Sequence, residues 1–537
     1  MKSSVFILPI LRSITGIVTA ALLSLTGSGT TESAEPAFQN RLSLHDALQF
    51  ALQQNPNTLL QQQQVSANRG QQLQAQSQFD PVAGITAART RESRPLRRDE
   101  ATALQLAGIS SVEEQIIDTT TYRLGVDKWL ENGLGVGTGF SVTAIDDSNQ
   151  RLAGIPTQTS GRLSFSLIVP LLRNSGSETV GAQVAASDAE LAASLLDLLH
   201  ANSQTVFNTT IAYWDTVAKR SRLDIALGAE KRAIELVNEM RKLITADQLP
   251  AAEIELVIAS RAEKTAARVA AEQALLDAQH ALARQLGLSR AQLAALPVPE
   301  EPLPNYDGQK LEVVENRERL IVSAIATRAD LDADRKRELA GKYRLAAARN
   351  NLKPQLDISL NLSYGGLAEG AAVSAFDRAY STGRVGPAFT SSVNLQWPFN
   401  NSLARGSFLL QSAAYDTSTI RSRDLEASIA SNVSALAAAL ERSVEQLLEG
   451  REAVSRYAVT LKNQSVKRRL GSATLLDVIN VEDRLNNALF NAVQFQQNYA
   501  NAIVHLRFEL GYLVHKHGDR YDVRIADLIT PEFRPAE

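Results

Sequence analysis

The sequence predicts a mixed α/β chain in which amphipathic β-strands run directly into very long coiled-coil helices, the whole plan laid out twice. Three observations carry that expectation. Two stretches, Glu178 to Ala246 and Arg405 to Leu470, contain no proline and are long enough to span on the order of 100 Å each as helices. The segments before them alternate strictly between apolar and polar residues: Leu163, Phe165, Leu167 and Val169 against Arg162, Ser164 and Ser166; Leu356, Ile358, Leu360 and Leu362 against Asp357, Ser359 and Asn361; Val393, Leu395 and Trp397 against Ser392, Asn394 and Gln396. Both features recur in the same order in the two halves, which end alike in Gln285-Leu286-Gly287-Leu288 and Glu509-Leu510-Gly511-Tyr512.

Composition narrows the function classes. The 537 residues carry 55 Lys+Arg against 58 Asp+Glu, a balance that argues against nucleic-acid partners, which need basic surface. The absence of cysteine excludes disulfides, thiolate metal sites, cysteine nucleophiles and a lipidated N-terminal cysteine. Aromatic residues are only 5%, which suits long helices better than a thick layered core.

Taken in order, residues 1–34 read as an export signal: Lys2 and Arg12, an apolar run from Ile14 to Leu25, then small residues up to Ala34. The first half, 35–296, holds a helix from Leu44 to Gln78 interrupted at Asn55-Pro56, and strands at 82–90 and 161–169. It continues with a long helix at 178–246 and a return helix at 251–288. An insertion from Arg91 to Gly161 contains an alternating hairpin, 120–145, around Glu131-Asn132-Gly133; the pattern does not say whether it adds wall strands or lengthens loops. A proline-rich linker occupies 297–316. The second half, 317–513, repeats the order, with a helix from Arg319 to Asn351, strands at 355–364 and 389–397, a long helix at 405–470 and a return helix at 475–513. A tail, 514–537, follows. Pro81 and Pro354 precede the first strand of each half, and Pro170 and Pro398 close the second, where a residue unable to donate to the sheet ladder belongs. Coiled-coil spacing places Leu223, Leu227, Ile234, Val237 and Ile244 on one seam, and Ile429, Val433, Leu436, Leu440, Val444 and Leu447 on the other.

No catalytic constellation stands out, and no catalytic, cofactor-binding or metal-ligating residue is expected. Gly133, Gly135, Gly137 and Gly139 recur with period two, which is strand spacing with small inward residues, not the G-x-G-x-x-G of a dinucleotide loop. His515 and His517 read as part of a solvated tail. Nucleophile-elbow, Walker and H-E-x-x-H patterns do not occur.

The opening Leu42 to Pro56 (LSLHDALQFALQQNP), the proline before each first strand, Arg162 to Gly176 (RLSFSLIVPLLRNSG) and Arg468 to Leu485 (RRLGSATLLDVINVEDRL), in this order and duplicated, resemble the TolC-type outer-membrane efflux protein family. The resemblance spans Leu42 to Leu513. It implies a mixed α/β membrane protein: a long α-helical coiled-coil periplasmic tunnel continuous with a transmembrane β-barrel, four strands per chain and twelve in a homotrimer, with an internal two-fold repeat. It implies a passive exit duct in the bacterial outer membrane, docking a periplasmic adaptor protein and an inner-membrane pump, with no cofactor and no nucleic acid. The sequence departs from the family at Ala329, where a proline follows Arg328 in relatives, and at Asp247, where the first helical tip normally has glycine; Gly471 keeps it at the second.

The resemblance also implies the site. Asp477 matches an aspartate that rings the narrow periplasmic entrance, Asn480 stands where a second aspartate is usual, and Glu253 occupies the equivalent place in the first half. Arg468 approaches the same turn. The tips themselves, Leu243, Asp247, Leu470 and Gly471, are the expected adaptor-docking surface. A carboxylate repeated three times in a narrow pore favours cations. The competing expectation is an exported coiled-coil scaffold or adaptor without a barrel; four amphipathic strands leading directly into helices speak against it.

Overall fold

The computed structural model describes residues 41–537 except 107, 109–113, 248–249, 251–253, 309–312, 314, 371–374, 376–377, 379–383, 519, 532 and 534–537. The expected signal segment and Glu253 lie outside the described residues.

The chain opens with a two-residue strand, β1 (Arg41–Leu42), and two helices, α1 (Leu44–Gln54) and α2 (Pro56–Gln76). The break between them is built at Asn55, whose extended backbone (ψ 126°) precedes Pro56 and whose side chain accepts from Asn57 N. Pro81 stands just before β2 (Val82–Pro95). A short helix, α3 (Arg98–Leu106), follows, then β3 (Glu114–Trp129), β4 (Gly135–Asp147), α4 (Ser148–Leu152) and β5 (Gln158–Pro170). Pro170 is the last residue of β5. After one turn, α5 (Ser177–Val180), the 64-residue α6 (Ala182–Thr245) runs to the first tip and α7 (Ile254–Leu286) returns.

The linker carries β6 (Val298–Pro299), which pairs in parallel with β1. The second half then builds α8 (Arg317–Thr327), α9 (Ala329–Asn350), β7 (Gln355–Glu369), β8 (Arg384–Gln396), the 68-residue α10 (Ser402–Arg469) and α11 (Leu475–Glu509). Pro354 immediately precedes β7, and Pro398 lies between β8 and α10. The described residues after Leu513 are not a solvated tail. They form a β9 (His515–His517) and β10 (Arg520–Asp522) hairpin and α12 (Ile525–Ile529), which returns to α11 through Arg507 paired with Asp527 at 3.4 Å.

Six strands, not four, make the sheet, in the order β2-β3-β4-β5-β7-β8 with every neighbour antiparallel. The insertion is the reason: its two strands continue the alternation of their neighbours and enter between β2 and β5. Ile85, Leu124, Phe140, Leu163, Tyr364 and Pro387 lie side by side across all six strands on one face. Thr86, Arg123, Ser141, Arg162, Gly365 and Gly386 form the next row, on the other. The glycines of β4 make room on this second face. A methyl at Gly135 would meet the Trp129 ring at 2.9 Å, and one at Gly137 would run into the Asp127 carboxylate.

The helices pack along each other in long antiparallel pairs, α6 with α7 and α10 with α11, and α2 and α9 run beside α6. The buried row of α6 differs from the expected one. Ala226, Ala229, Ala233, Val237 and Met240 are buried, whereas Leu227 and Ile234 are exposed. Alanines admit a partner backbone more closely than leucines, so the packed seam lies beside the bulky one. On α10 the expected Ile429, Val433, Leu440, Val444 and Leu447 are buried, joined by Leu331, Tyr499, Ile503 and Leu506.

Candidate functional site: the helical tips

The far ends of α6 and α10 are where the chain reverses, and both turns use a left-handed residue. At the first, Asp247 adopts φ 53° and its N–H donates to Ile244 O; at the second, Gly471 adopts φ 73° and its N–H donates to Arg468 O. Aspartate is among the few side chains that tolerate this region, which is how Asp247 fills a position suited to glycine. Leu470 is exposed and Leu243 half-buried, so the two tips offer different surfaces.

Past the second turn, α11 starts on a capping box. Asp477 N donates to Thr474 Oγ1 at 3.2 Å, and the Asp477 carboxylate accepts from Thr474 N at 2.9 Å and from its hydroxyl at 2.7 Å. Two otherwise orphaned donors are thereby satisfied. The bond from the Thr474 side chain, then that from its backbone, hold the Asp477 carboxyl below the usual aspartate value, so it is ionised at neutral pH. Asn480, exposed one turn further on, lies on the same side of the helix.

Arg468 does not reach Asp477. Its guanidinium Nη2 donates to both carboxylate oxygens of Glu239, at 2.7 and 2.8 Å, tying α10 to α6 across the halves. Further polar ties run up from there. Lys264 pairs with Asp483 at 2.5 Å, and Arg232 with Glu482 and Asn486, both at 2.7 Å. Arg222 donates to Gln494 at 2.6 Å and Gln497 to Asp215 at 2.9 Å. Val237, Met240 and Val257 form a small apolar plug on which Leu475 packs. Glu239, Lys264 and Arg232 were not singled out by sequence reasoning. Their partners lie more than 200 positions away, and on a charged helix nothing local marks one carboxylate over the next.

The chain makes two joints where the return helices α7 and α11 end. Asn55 Nδ2 donates to Gln285 O at 2.7 Å where α7 meets the α1–α2 break. At the matching α8–α9 break, buried Arg328 grips Asp330 through Nη2 at 2.6 Å and Nε at 2.8 Å, bonds Glu509, and lies 5.5 Å from the centre of the Phe508 ring. That grip holds the extended backbone that proline would otherwise impose before Ala329. His200 stands 3.8 Å from Asp330. Burial pushes its imidazole below the ordinary histidine value, the nearby Asp330 opposing.

Among the described residues no helix is long and apolar enough to cross a membrane, and no cluster of three histidine or acidic side chains could hold a metal ion. No protein-family model and no curated protein sequence matches the chain. Solved structures do. The chain is similar to the outer-membrane channel OprN (16% identity, TM-score 0.62, 87% of this chain and 89% of that one). A membrane protein from Pseudomonas aeruginosa matches at 16% identity and TM-score 0.64, over 87% of this chain and 90% of that one. The outer membrane protein VceC from Vibrio cholerae matches at 16% and 0.61, over 87% and 96%.

Proposed function

With the fold of these outer-membrane channels as the premise, we propose that the protein is a passive outer-membrane exit duct, serving a tripartite efflux pump or a type I secretion system. On this reading three copies close their sheets into one barrel in the outer membrane, and the helices continue it as a periplasmic tunnel. The tips meet a periplasmic adaptor, behind which stands an inner-membrane pump; exported small molecules or proteins pass through without chemistry. The two halves are then an internal repeat, with Asp477 and Glu253 as carboxylates of the entrance and Asn480 diluting its charge.

The single observation that carries the reading is the sheet. One face presents Ile85, Leu163, Phe165, Leu362, Phe389 and Val393 to the outside of the chain, and Ile85 and Val393 are 77% and 69% exposed. Its other face is polar, and β5 and β8 pass through short turns into helices of 64 and 68 residues. The apolar stretch from Leu356 to Tyr364 runs roughly 27 Å along the strand and about 20 Å along a barrel axis once the strand tilt is allowed for, most of the roughly 25 Å height of an outer-membrane apolar band. An open edge is not tolerated in lipid, so such a sheet needs further copies to close it.

Fractionation tests this directly. The mature protein is expected in the detergent-extracted outer membrane, as a trimer by native mass measurement, and to conduct ions in planar bilayers. Recovery as a soluble periplasmic monomer would instead identify an exported scaffold.

A further inference from the structure

We propose that the inserted hairpin, β3 and β4, is part of the barrel wall, so that the assembled channel has eighteen strands, six from each of three chains. The proposal rests on the exit-duct reading and goes beyond it, because the resemblance from which that reading began implies four strands per chain.

Four observations carry it. The hairpin is fully laddered into the sheet on both sides, β3 to β2 from Val82↔Asp127 to Pro95↔Glu114 and β4 to β5 from Gly135↔Ile168 to Ile145↔Gln158. Its side chains obey the division of the wall: Leu124 and Phe140 join the apolar row between Ile85 and Leu163, while Arg123 and Ser141 join the polar row between Thr86 and Arg162. A loop folded over a finished wall would have no reason to keep that register over its whole length. The hairpin is also anchored where the wall meets the tunnel. Gly133 takes φ 90° in its turn, with no room for a side chain against Asn174 O and Pro170, and Asn132 O accepts from Gly176 N at 3.3 Å.

The fourth observation is closure. The free edges of the sheet are β2 and β8, and β2 is exposed along nearly all its length. An even number of antiparallel strands leaves β2 and β8 running in opposite directions, so β8 of one copy meets β2 of the next in antiparallel register, apolar face beside apolar face. The occupant of each edge is therefore a second copy of this chain. Barrel diameter grows roughly linearly with strand number, so the lumen is about half again as wide as twelve strands would enclose, in the range that leaves an open aqueous channel. The added turn leads into no helix of its own, so the extra width belongs to the membrane end alone.

Because the chain has no cysteine, engineered pairs report on pairing directly. In trimers extracted from the outer membrane, Thr86→Cys with Arg123→Cys, and Ser141→Cys with Arg162→Cys, are expected to oxidise to disulfides within one chain. Thr86→Cys with Arg162→Cys is expected to stay reduced. Thr86→Cys combined in turn with cysteine at 386, 388, 390, 392 or 394 is expected to link chains covalently at one β8 position or two adjacent ones. Strand counting by electron microscopy of the same trimers is expected to give eighteen. A Thr86–Arg162 disulfide with the hairpin pairs reduced, or twelve strands, would overturn the proposal while leaving the exit duct intact. Absence of the chain from the outer membrane would overturn both.

Discussion

Arg468 and Asp477 stand nine residues apart at the second tip and hold different things: the first a neighbouring helix, through Glu239, and the second its own helix start, through Thr474. The Arg468–Glu239 pair is partly exposed, so its contribution to stability is about 0 to 1 kcal/mol. On the proposed exit-duct reading it would still bias an entrance that opens and closes, since threefold repetition would multiply a small term. Glu239→Ala is therefore expected to leave the trimer intact and to raise single-channel conductance as much as Arg468→Ala does; conductance unchanged from the parent would place the latch elsewhere. Arg468→Ala with Asp477→Ala adds a weaker cation preference. Asp477→Ala alone is expected to loosen the start of α11, seen as faster amide exchange in its first turn. His200 gives a second expectation. Its folded-state pKa is depressed, so the unfolded chain binds the proton first, and stability present above the ordinary histidine value of about 6.5 is lost as pH falls toward the folded value. His505, also lowered by burial, acts in the same direction. The midpoint of thermal unfolding is expected to drop between pH 7 and pH 5.5, less so in His200→Gln; a flat profile would mean the imidazole is hydrated.

At the scale of elements, the two joints show how different sequences reach one backbone. The first uses Asn55-Pro56; the second uses Arg328 held by Asp330 and Glu509. Because Arg328 is already extended (ψ 116°) and Ala329 opens α9, Ala329→Pro is expected to be tolerated and to stabilise by about 0.4 to 1 kcal/mol, measured by denaturant unfolding. Gly511→Ala is expected to cost about 1 to 2 kcal/mol, since Gly511 adopts φ 76° and a side chain there meets Thr327 O at 3.0 Å. These joints also mark how far the sequence was legible. Period-two alternation, proline at strand ends and proline-free runs are local signals: a helix expected at 405–470 stands beside α10 at Ser402–Arg469, while the strands run longer than the alternation suggests, β7 to Glu369 against 364 and β8 from Arg384 against 389. On α6 the expected Val237 is buried, but Leu227 and Ile234 each stand one residue from the buried Ala226 and Ala233, because alanine is weak as a hydrophobic marker yet favoured at close helix contacts. Glu239 was missed because choosing it requires knowing which helix lies opposite. The hairpin was readable as strands, but alternation alone does not say whether two strands ladder between β2 and β5 or stand outside the sheet.

For the molecule as a whole, on the proposed reading the polar row holding Arg123 and Arg162 on either side of Ser141 would repeat in each of three copies and line the barrel with cationic side chains, at the opposite end from the helical tips. Arg123→Ser with Arg162→Ser is expected to shift the reversal potential under a salt gradient toward cations; no shift would mean these arginines lie outside the lumen. One earlier feature governs how such a body is made. Leu42 pairs with Pro299, and Leu44 N bonds the Glu301 carboxylate 257 positions away, while Tyr213 hydrogen-bonds both Leu42 O and Glu301. Ribosomes deliver the amino end first, so this three-way clasp stays open until the linker has been synthesised. β5 likewise waits for β7, its backbone edge unpaired meanwhile. Contacts so distant along the chain close slowly and expose unpaired strands to aggregation. Folding of this protein is thus timed by its linker and second half, and truncations before residue 299 are expected to yield aggregates instead of a folded half.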